Sequence, residues 1–278
     1  MANYVTGKSI VITGAGGGFG KLVSEKTAAL GAKVTCVDIN GAAAEAVAAG
    51  VRAAGGIAQA VAADVTQIAD MRAVAKAAVA ANGAIDVMVN NAGIMPLAFI
   101  ADHEAALEAW SRCIDINIKG VMNGTVAVYD QMMAQGRGHV INLSSIAGNH
   151  PAAGSAIYGA TKAAVNYFSE SLRVEARGKI KVTIIKPTGV MATGLGASVV
   201  NPKAGLGMMG QNAPDFAEAL AQMRAGTLPP EMLDPQNIAY VSLEPVHIAD
   251  AIVHAINQPW GVSLGDITIR AAGDHFAQ

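Results

Sequence analysis

The sequence predicts an α/β protein, a single doubly wound parallel sheet with helices on both faces. Three observations predict it. Short Val/Ile-rich segments recur along the chain, Ala-rich stretches long enough to be crossover helices separate them, and the first segment runs straight into a glycine-rich turn. Continuous apolar runs are what parallel strands need when helices cover them from above and below.

The strands read, in order, as SIVIT at 9–13, KVTCVD at 33–38, IAQAVAAD at 57–64, IDVMVN at 85–90, HVINLS at 139–144, KVTIIK at 181–186 and DITIR at 266–270. Stretches such as EAVAAGVRAA and DMRAVAKAAVAA lie between them as helices. No internal repeat and no linker cuts the chain, so residues 1–278 read as one domain. The exception to the alternation is 193–240, rich in Gly, Pro and Met, with a helical pattern only at 213–225. It follows the C-terminal end of the 181–186 strand, the ligand side of an open sheet, and reads as a lid inserted within the domain.

Composition narrows the class. The 278 residues are 52% apolar, 4% aromatic and 14% charged, with a net charge of −2. That is too apolar for a disordered chain, and it offers no basic footprint for nucleic acid or an anionic membrane. No apolar run approaches the roughly 18 residues that span a bilayer. The opening residues lack the basic start and cleavage site of a signal peptide. Cys36 and Cys113, far apart, read as small buried hydrophobes in a reducing compartment, which predicts a cytoplasmic protein. The charge content is well below the roughly one quarter of average soluble domains, and no feature of one chain accounts for it.

The turn after the first strand carries Gly14, Gly16, Gly17, Gly18, Phe19 and Gly20, and a helix pattern follows. Glycines there let backbone N–H groups and a helix N-terminus approach a pyrophosphate. A Walker loop would need Gly at Ala15 and a hydroxyl at Leu22, and GxGxxG fails because Phe19 holds the third glycine's place. What fits is TGxxxGxG from Thr13 to Gly20. The second strand ends at Asp38, with Ile39 beside it. A carboxylate there accepts bonds from an adenosine ribose and repels a 2′-phosphate. No Arg or Lys stands in the turn or in Ile39-Asn40-Gly41, so the expected cofactor is NAD rather than NADP.

The helix pattern at 155–177 places Tyr158 and Lys162 four residues apart on one face. A neighbouring ammonium favours phenolate, and such a Tyr can pass a proton to or from a carbonyl or alcohol oxygen. Ser144 and Ser145 close the strand before it, Ser145 lying thirteen residues ahead of Tyr158.

TGAGGGFG, NNAG at 90–93, LSS at 143–145 and YGATK at 158–162, in this order over about 7–190, resemble the short-chain dehydrogenase/reductase family in its compact single-domain form. The resemblance implies a Rossmann fold and roles for particular residues. Tyr158 would be the general acid/base. Lys162 would lower its pKa and bond the nicotinamide ribose, and Ser145 would hold the substrate oxygen. Asn117 matches the Asn that supports a proton relay to the lysine. Asp64 and Val65 resemble the pair contacting adenine, and Asn90, Asn91, Ala92 and Gly93 the strand end supporting the cofactor. Pro187, Thr188 and Val190 would contact it through backbone, although Thr188 stands where the family commonly has Gly and Thr193 is displaced by one from the usual Thr. Related enzymes associate as tetramers through helices corresponding to about 104–134 and 155–177, both of which read apolar on more than one face here. A homotetramer, or a homodimer, would account for the low charge.

No metal site is expected, since the six His lack ligand spacing and His103-Glu104 lacks the second His of HExxH. No GxSxG surrounds a serine, which removes the hydrolase reading. The substrate edge should comprise Met95, Ser145, Ile146, Ala147, Ala152, Tyr158 and Gly189, with the 193–212 stretch above it. His150 stands in the same loop as Ala152, and Met208 and Met209 are candidates for a greasy pocket. These edges hold few charges, so the expected function is hydride transfer between NAD(H) and an uncharged, fairly apolar secondary alcohol or ketone. The alternative is a catalytically silent dinucleotide-binding sensor or structural protein, against which Asn117, Ser145, Tyr158 and Lys162 together argue. A sugar-nucleotide epimerase is disfavoured by the length and the TGxxxGxG spacing.

Overall fold

The computed structural model describes residues 2–190 and 193–276. Met191 and Ala192, which precede Thr193, lie outside the described residues, as do the chain's terminal positions 1, 277 and 278. The chain runs β1 (Ser9–Thr13), α1 (Gly18–Ala29), β2 (Lys33–Asp38), α2 (Gly41–Ala53), β3 (Ile57–Ala62), α3 (Ile68–Asn82) and β4 (Val87–Asn90). α4 (His103–Ile114), α5 (Gly120–Gln135), β5 (Gly138–Leu143), α6 (Ala156–Glu175) and β6 (Ile180–Pro187) follow. A segment carrying α7 (Ala204–Gly207) and α8 (Ala213–Ala225) then leads to α9 (Pro245–Ile256) and β7 (Asp266–Ile269).

Seven strands form one sheet in the order β3-β2-β1-β4-β5-β6-β7, and each pairing is parallel. The chain winds outward from β1 and then restarts on its other side at β4. That reversal opens a crevice at the strands' C-terminal ends, where ligands of such sheets bind. Strand residues alternate between two cores. Ile10, Ile12, Val87 and Val89 join Val23 of α1, Val47 of α2 and Ile248 of α9. Val11, Met88 and Val140 join Met71 of α3, Met132 of α5 and Leu172 of α6 on the opposite face. Both faces are therefore covered, as the uninterrupted apolar strands require.

The predicted strand bounds shift by two residues at two places, each for a local reason, and by one residue in β5, β6 and β7. β3 stops at Ala62 because Asp64 turns the chain, its Oδ1 accepting from Thr66 N at 2.9 Å. As the sheet's edge, β3 is also only half covered, and Ile57 is 57% exposed. β4 begins at Val87 because the Gln135 side chain takes both backbone groups of Ile85, accepting from N at 3.1 Å and donating to O at 2.9 Å.

The 104–134 helix is a continuous run interrupted by a π-type turn at Asp115–Lys119, which places Asn117 fully buried at the bend. Within 193–240 the helix lies where its pattern predicts, opening at Pro214 and ending at Gly226 with φ 69°. The start of that segment is tied down, since Val200 N and Asn201 N donate to Leu97 O at 3.1 and 2.9 Å. Among the described residues no helix is long and apolar enough to cross a membrane.

Candidate active site

The glycine turn joins β1 to α1 in a way that side chains would prevent. Ala15 N donates to Val37 O at 3.0 Å, and Gly16 N donates to Asp38 Oδ2 at 2.9 Å, so the turn is pulled against the end of β2. Asn91 Nδ2 donates to Thr13 O at 2.8 Å and Gly14 O at 3.2 Å, fixing the other side to the end of β4. Gly17 precedes α1 with extended backbone and no side-chain cap. The helix's first N–H groups thus face the crevice as an anion would need them. A Cβ on Gly17 or Gly18 would meet nothing within 4 Å, which leaves that side of the turn open for a ligand.

Across the crevice, α6 presents Tyr158 and Lys162, buried to 5% and 6% exposure. Lys162 Nζ donates to Leu143 O at 2.8 Å and lies 5.7 Å from the Tyr158 ring centroid. Ser145 hydrogen-bonds Tyr158, and its Oγ accepts from Ala147 N at 3.2 Å. Ser144 instead donates to Lys162 O at 3.1 Å and is used up holding α6 against β5, which supports choosing Ser145.

Burial pushes the Tyr158 phenol up to about 12, with the Ser145 hydrogen bond pulling the other way, and it pulls Lys162 down to about 8. The expectation that Lys162 sets a low phenol pKa is therefore not met. Removing the phenolate's charge from water is the largest effect on Tyr158, and the Ser145 hydrogen bond returns only part of it.

Asn117 stands behind this wall. Its Oδ1 accepts from Ile94 N at 3.0 Å, and its Nδ2 donates to Ile94 O, Thr161 Oγ1 and Cys113 Sγ at 3.0, 3.1 and 3.2 Å. A Cβ on Gly93 would sit 3.1 Å from Asn117 Oδ1 and 3.7 Å from Lys162 Nζ, so the strand end passes close only as glycine.

The glycine turn and the Tyr158–Lys162 wall line one cavity of about 640 Å³. Gly14, Gly17, Gly18 and Phe19 form its floor beside Asn91, Ala92 and Gly93. Ser145, Tyr158 and Lys162 form one wall, and Pro187, Thr188, Gly189 and Val190 another. Met95, Thr193, Met208 and Met209 also reach it. The hydroxyl of Thr188, in the place of the usual Gly, donates to Ile269 O at 3.4 Å and adds to the β6–β7 seam.

Other expected residues do not line it. Gly16 and Gly20 pack against the protein instead, since a Cβ on either would collide with Asp38 or Gly14. Asp38 is reached through Gly16, Ile39 projects to solvent at 75% exposure, and Val65 packs on Gly120. Asp64 holds its own turn, and Asn90 donates to Thr125 of α5 and Asn142 of β5. Ile146, Ala147 and Ala152 do not line it either. The chain coils at Ile146–Gly148 immediately after Ser145, burying Ile146 and Ala147, and Ala147 and Ala152 pack in the apolar cluster of Tyr158 and Met208 while edging, with His150, a second depression against α6.

Sequence reasoning missed the far wall. Phe216, Ala219, Leu220 and Met223 of α8 face the cavity, joined by His275 and Phe276. The first four have helical spacing i, i+3, i+4, i+7, a pattern that could have identified the face. His275 and Phe276 carry no periodic signal. Among the described residues no cluster of His, Cys, Asp and Glu could hold a metal.

Residues 8–204 match the family model for the short chain dehydrogenases. An uncharacterized oxidoreductase of Staphylococcus epidermidis is 33% identical over 264 residues, 95% of this chain and 96% of its own. A 2,5-dichloro-2,5-cyclohexadiene-1,4-diol dehydrogenase of Sphingobium indicum is 38% identical over 193 residues, 68% of this chain and 76% of its own. Among solved structures, a 7α-hydroxysteroid dehydrogenase complexed with NADH and 7-oxo glycochenodeoxycholic acid superposes with a TM-score of 0.78 at 25% identity, covering 99% of this chain and 98% of that one. A metagenomic short-chain oxidoreductase in complex with NADP gives 0.72 at 26% identity, covering 96% and 98%. The chain belongs to the short-chain dehydrogenase family of oxidoreductases.

Proposed function

We propose that this protein is a NAD-dependent dehydrogenase/reductase interconverting a secondary alcohol and a ketone, on an uncharged, fairly apolar substrate. The observation that carries the reading is the meeting of Ser145, Tyr158 and Lys162 on one wall of a cavity whose floor is the glycine turn. The open side of Gly17 and Gly18 and the uncapped start of α1 fit a dinucleotide's pyrophosphate. Gly14, Phe19, Asn91, Ala92, Gly93 and the backbone of Pro187, Thr188 and Val190 would hold the rest, with Lys162 on the nicotinamide ribose. When bound, the nicotinamide supplies or accepts the hydride. Ser145 donates a hydrogen bond to the ketone oxygen, and Tyr158 delivers the proton that completes the alcohol. Asn117 holds the strand end and α6 in register behind Lys162. Among the described lining residues, the ionisable side chains are Tyr158, Lys162 and His275, which suits a neutral substrate. The hydroxysteroid and cyclic diol dehydrogenases among the similar proteins support a ring-bearing alcohol.

Asp38, held beside Gly16, favours NAD, because a ribose hydroxyl finds an acceptor there and a 2′-phosphate meets like charge. Initial rates with NADH and NADPH at equal concentration test the reading. NADH is expected to be faster, and a faster NADPH reaction would reject the role of Asp38.

We propose the same cytoplasmic setting, supported by two free, buried cysteines, and one domain whose 193–240 segment covers the cavity as a lid. The homotetramer or homodimer is supported by apolar side chains left exposed on α4, α5 and α6. Leu107, Val126, Tyr167 and Val174 are 68, 46, 80 and 75% exposed. Sedimentation should give a multiple of the chain mass, and a monomer would leave both these faces and the sparse charge without a reason.

A further inference from the structure

The cavity's far wall is held more firmly than its position after the last strand would require. Arg270 Nη2 donates to Asp274 Oδ1 at 2.7 Å and to Phe276 O at 2.8 Å, and Phe276 N donates to the same Asp274 Oδ1 at 3.2 Å. The Asp274 side chain is 3% exposed, so this ion pair is partly shielded from water. Asn212 Nδ2 donates to His275 O at 3.2 Å, and the Phe216 and His275 rings meet edge to face at 5.8 Å. The end of β7 and the start of α8 thus fix one short segment between them.

What they fix in place is an aromatic ring. Phe276 packs against the apolar cluster that contains Tyr158, Met208 and Met209. It also seats on Gly189 at the end of β6, where a Cβ would stand 2.7 Å from Phe276 Cε2. Gly189 has no left-handed backbone to explain its glycine, so the ring is the reason a side chain is excluded.

We propose that Phe276 is a specificity-determining residue, the wall that sets how bulky an apolar, ring-bearing ketone the cavity admits, with the Arg270–Asp274 clasp holding it. The proposal rests on the alcohol/ketone reading above. The ring closes the apolar space it shares with Met208, Met209 and Phe216, so it obstructs a rigid alicyclic body while leaving room for a small ketone.

The test compares kcat/KM for camphor, a bulky alicyclic ketone, and acetone, a small one, in four proteins. These are the wild type, Phe276→Ala, Gly189→Ala and the double variant. Phe276→Ala should move the camphor-to-acetone ratio toward camphor by at least about fivefold, mainly through KM. Gly189→Ala forces the ring into the cavity and should move the ratio the other way. Once the ring is gone the added methyl has nothing to strike, so Gly189→Ala should change nothing further in the double variant. NADH titration and thermal melting of each protein check that the cofactor site and fold persist, and Phe276→Leu gives a smaller shift in the same direction if Ala fails to fold. Ratios within about twofold of wild type, or a Gly189→Ala effect that is the same with and without the ring, would overturn the role of Phe276. A wild type that reduces no ketone would overturn the alcohol/ketone reading and this proposal together.

Discussion

Tyr158→Phe is expected to lower turnover at least about a hundredfold, roughly 2.7 kcal/mol of lost transition-state stabilisation, while NADH still binds and the chain still folds. The ring itself is structural, since it packs with Leu97, Cys113, Ala147 and Met208, and Phe preserves that packing. Only the hydroxyl is removed, and its partner Ser145 keeps a second bond to Ala147 N. Steady-state NADH oxidation with a ketone the wild type reduces measures the loss, and fluorescence titration of NADH confirms binding. Near-normal turnover would reject Tyr158 as the proton carrier.

The charge states make the same prediction depend on pH. With its phenol pushed up to about 12, Tyr158 stays protonated across the neutral range and is ready to donate to a ketone oxygen. Lys162, pulled down to about 8 by burial, is charged below that pH and neutral above it. Ketone reduction by the wild type should therefore hold level on the acid side of about 8 and decline as pH rises through it. In Tyr158→Phe the residual rate should lose this dependence, because the proton no longer passes through the group Lys162 faces.

Much of this site was legible because its chemistry constrains short segments. TGAGGGFG must turn tightly and expose amides, and a helix must put Tyr158 and Lys162 on one face, so spacing alone brings them near. Where the chain went after those segments was less legible. Ile146 and Ala147 follow Ser145 in sequence, yet one coil of helix buries them behind the cavity's lining. The direction of a side chain after a strand end depends on that local turn, which composition does not encode. The electrostatics misled for a related reason. Lys162 spacing predicts attraction, whereas the dominant effect on Tyr158 is burial, a property of the completed fold. Phe276 is held at the site by Arg270, Asp274 and its seat on Gly189, contacts that no period or motif announces.

The glycine turn should separate a structural glycine from a ligand-facing one. Gly20→Ala is expected to destabilise the protein by about 1–3 kcal/mol and to weaken NADH binding with it. A Cβ at Gly20 would stand 2.3 Å from Gly14 O and 2.8 Å from Asn91 Nδ2, so α1 cannot keep its place against the end of β1. Backbone carbonyl and tethered amide offer no flexible end that could swing aside. Gly17→Ala should behave in the opposite way. Its φ of −168° is extended backbone open to any residue, and its Cβ would meet nothing within 4 Å, so melting should match the wild type. That methyl would nonetheless project into the crevice where a pyrophosphate approaches the amides of α1, and NADH affinity should fall at least about tenfold, roughly 1.4 kcal/mol. Thermal melting paired with NADH titration on both variants measures the contrast. If Gly17→Ala bound NADH as tightly as the wild type, the turn would not be the dinucleotide's seat, whatever Gly20→Ala did to the fold.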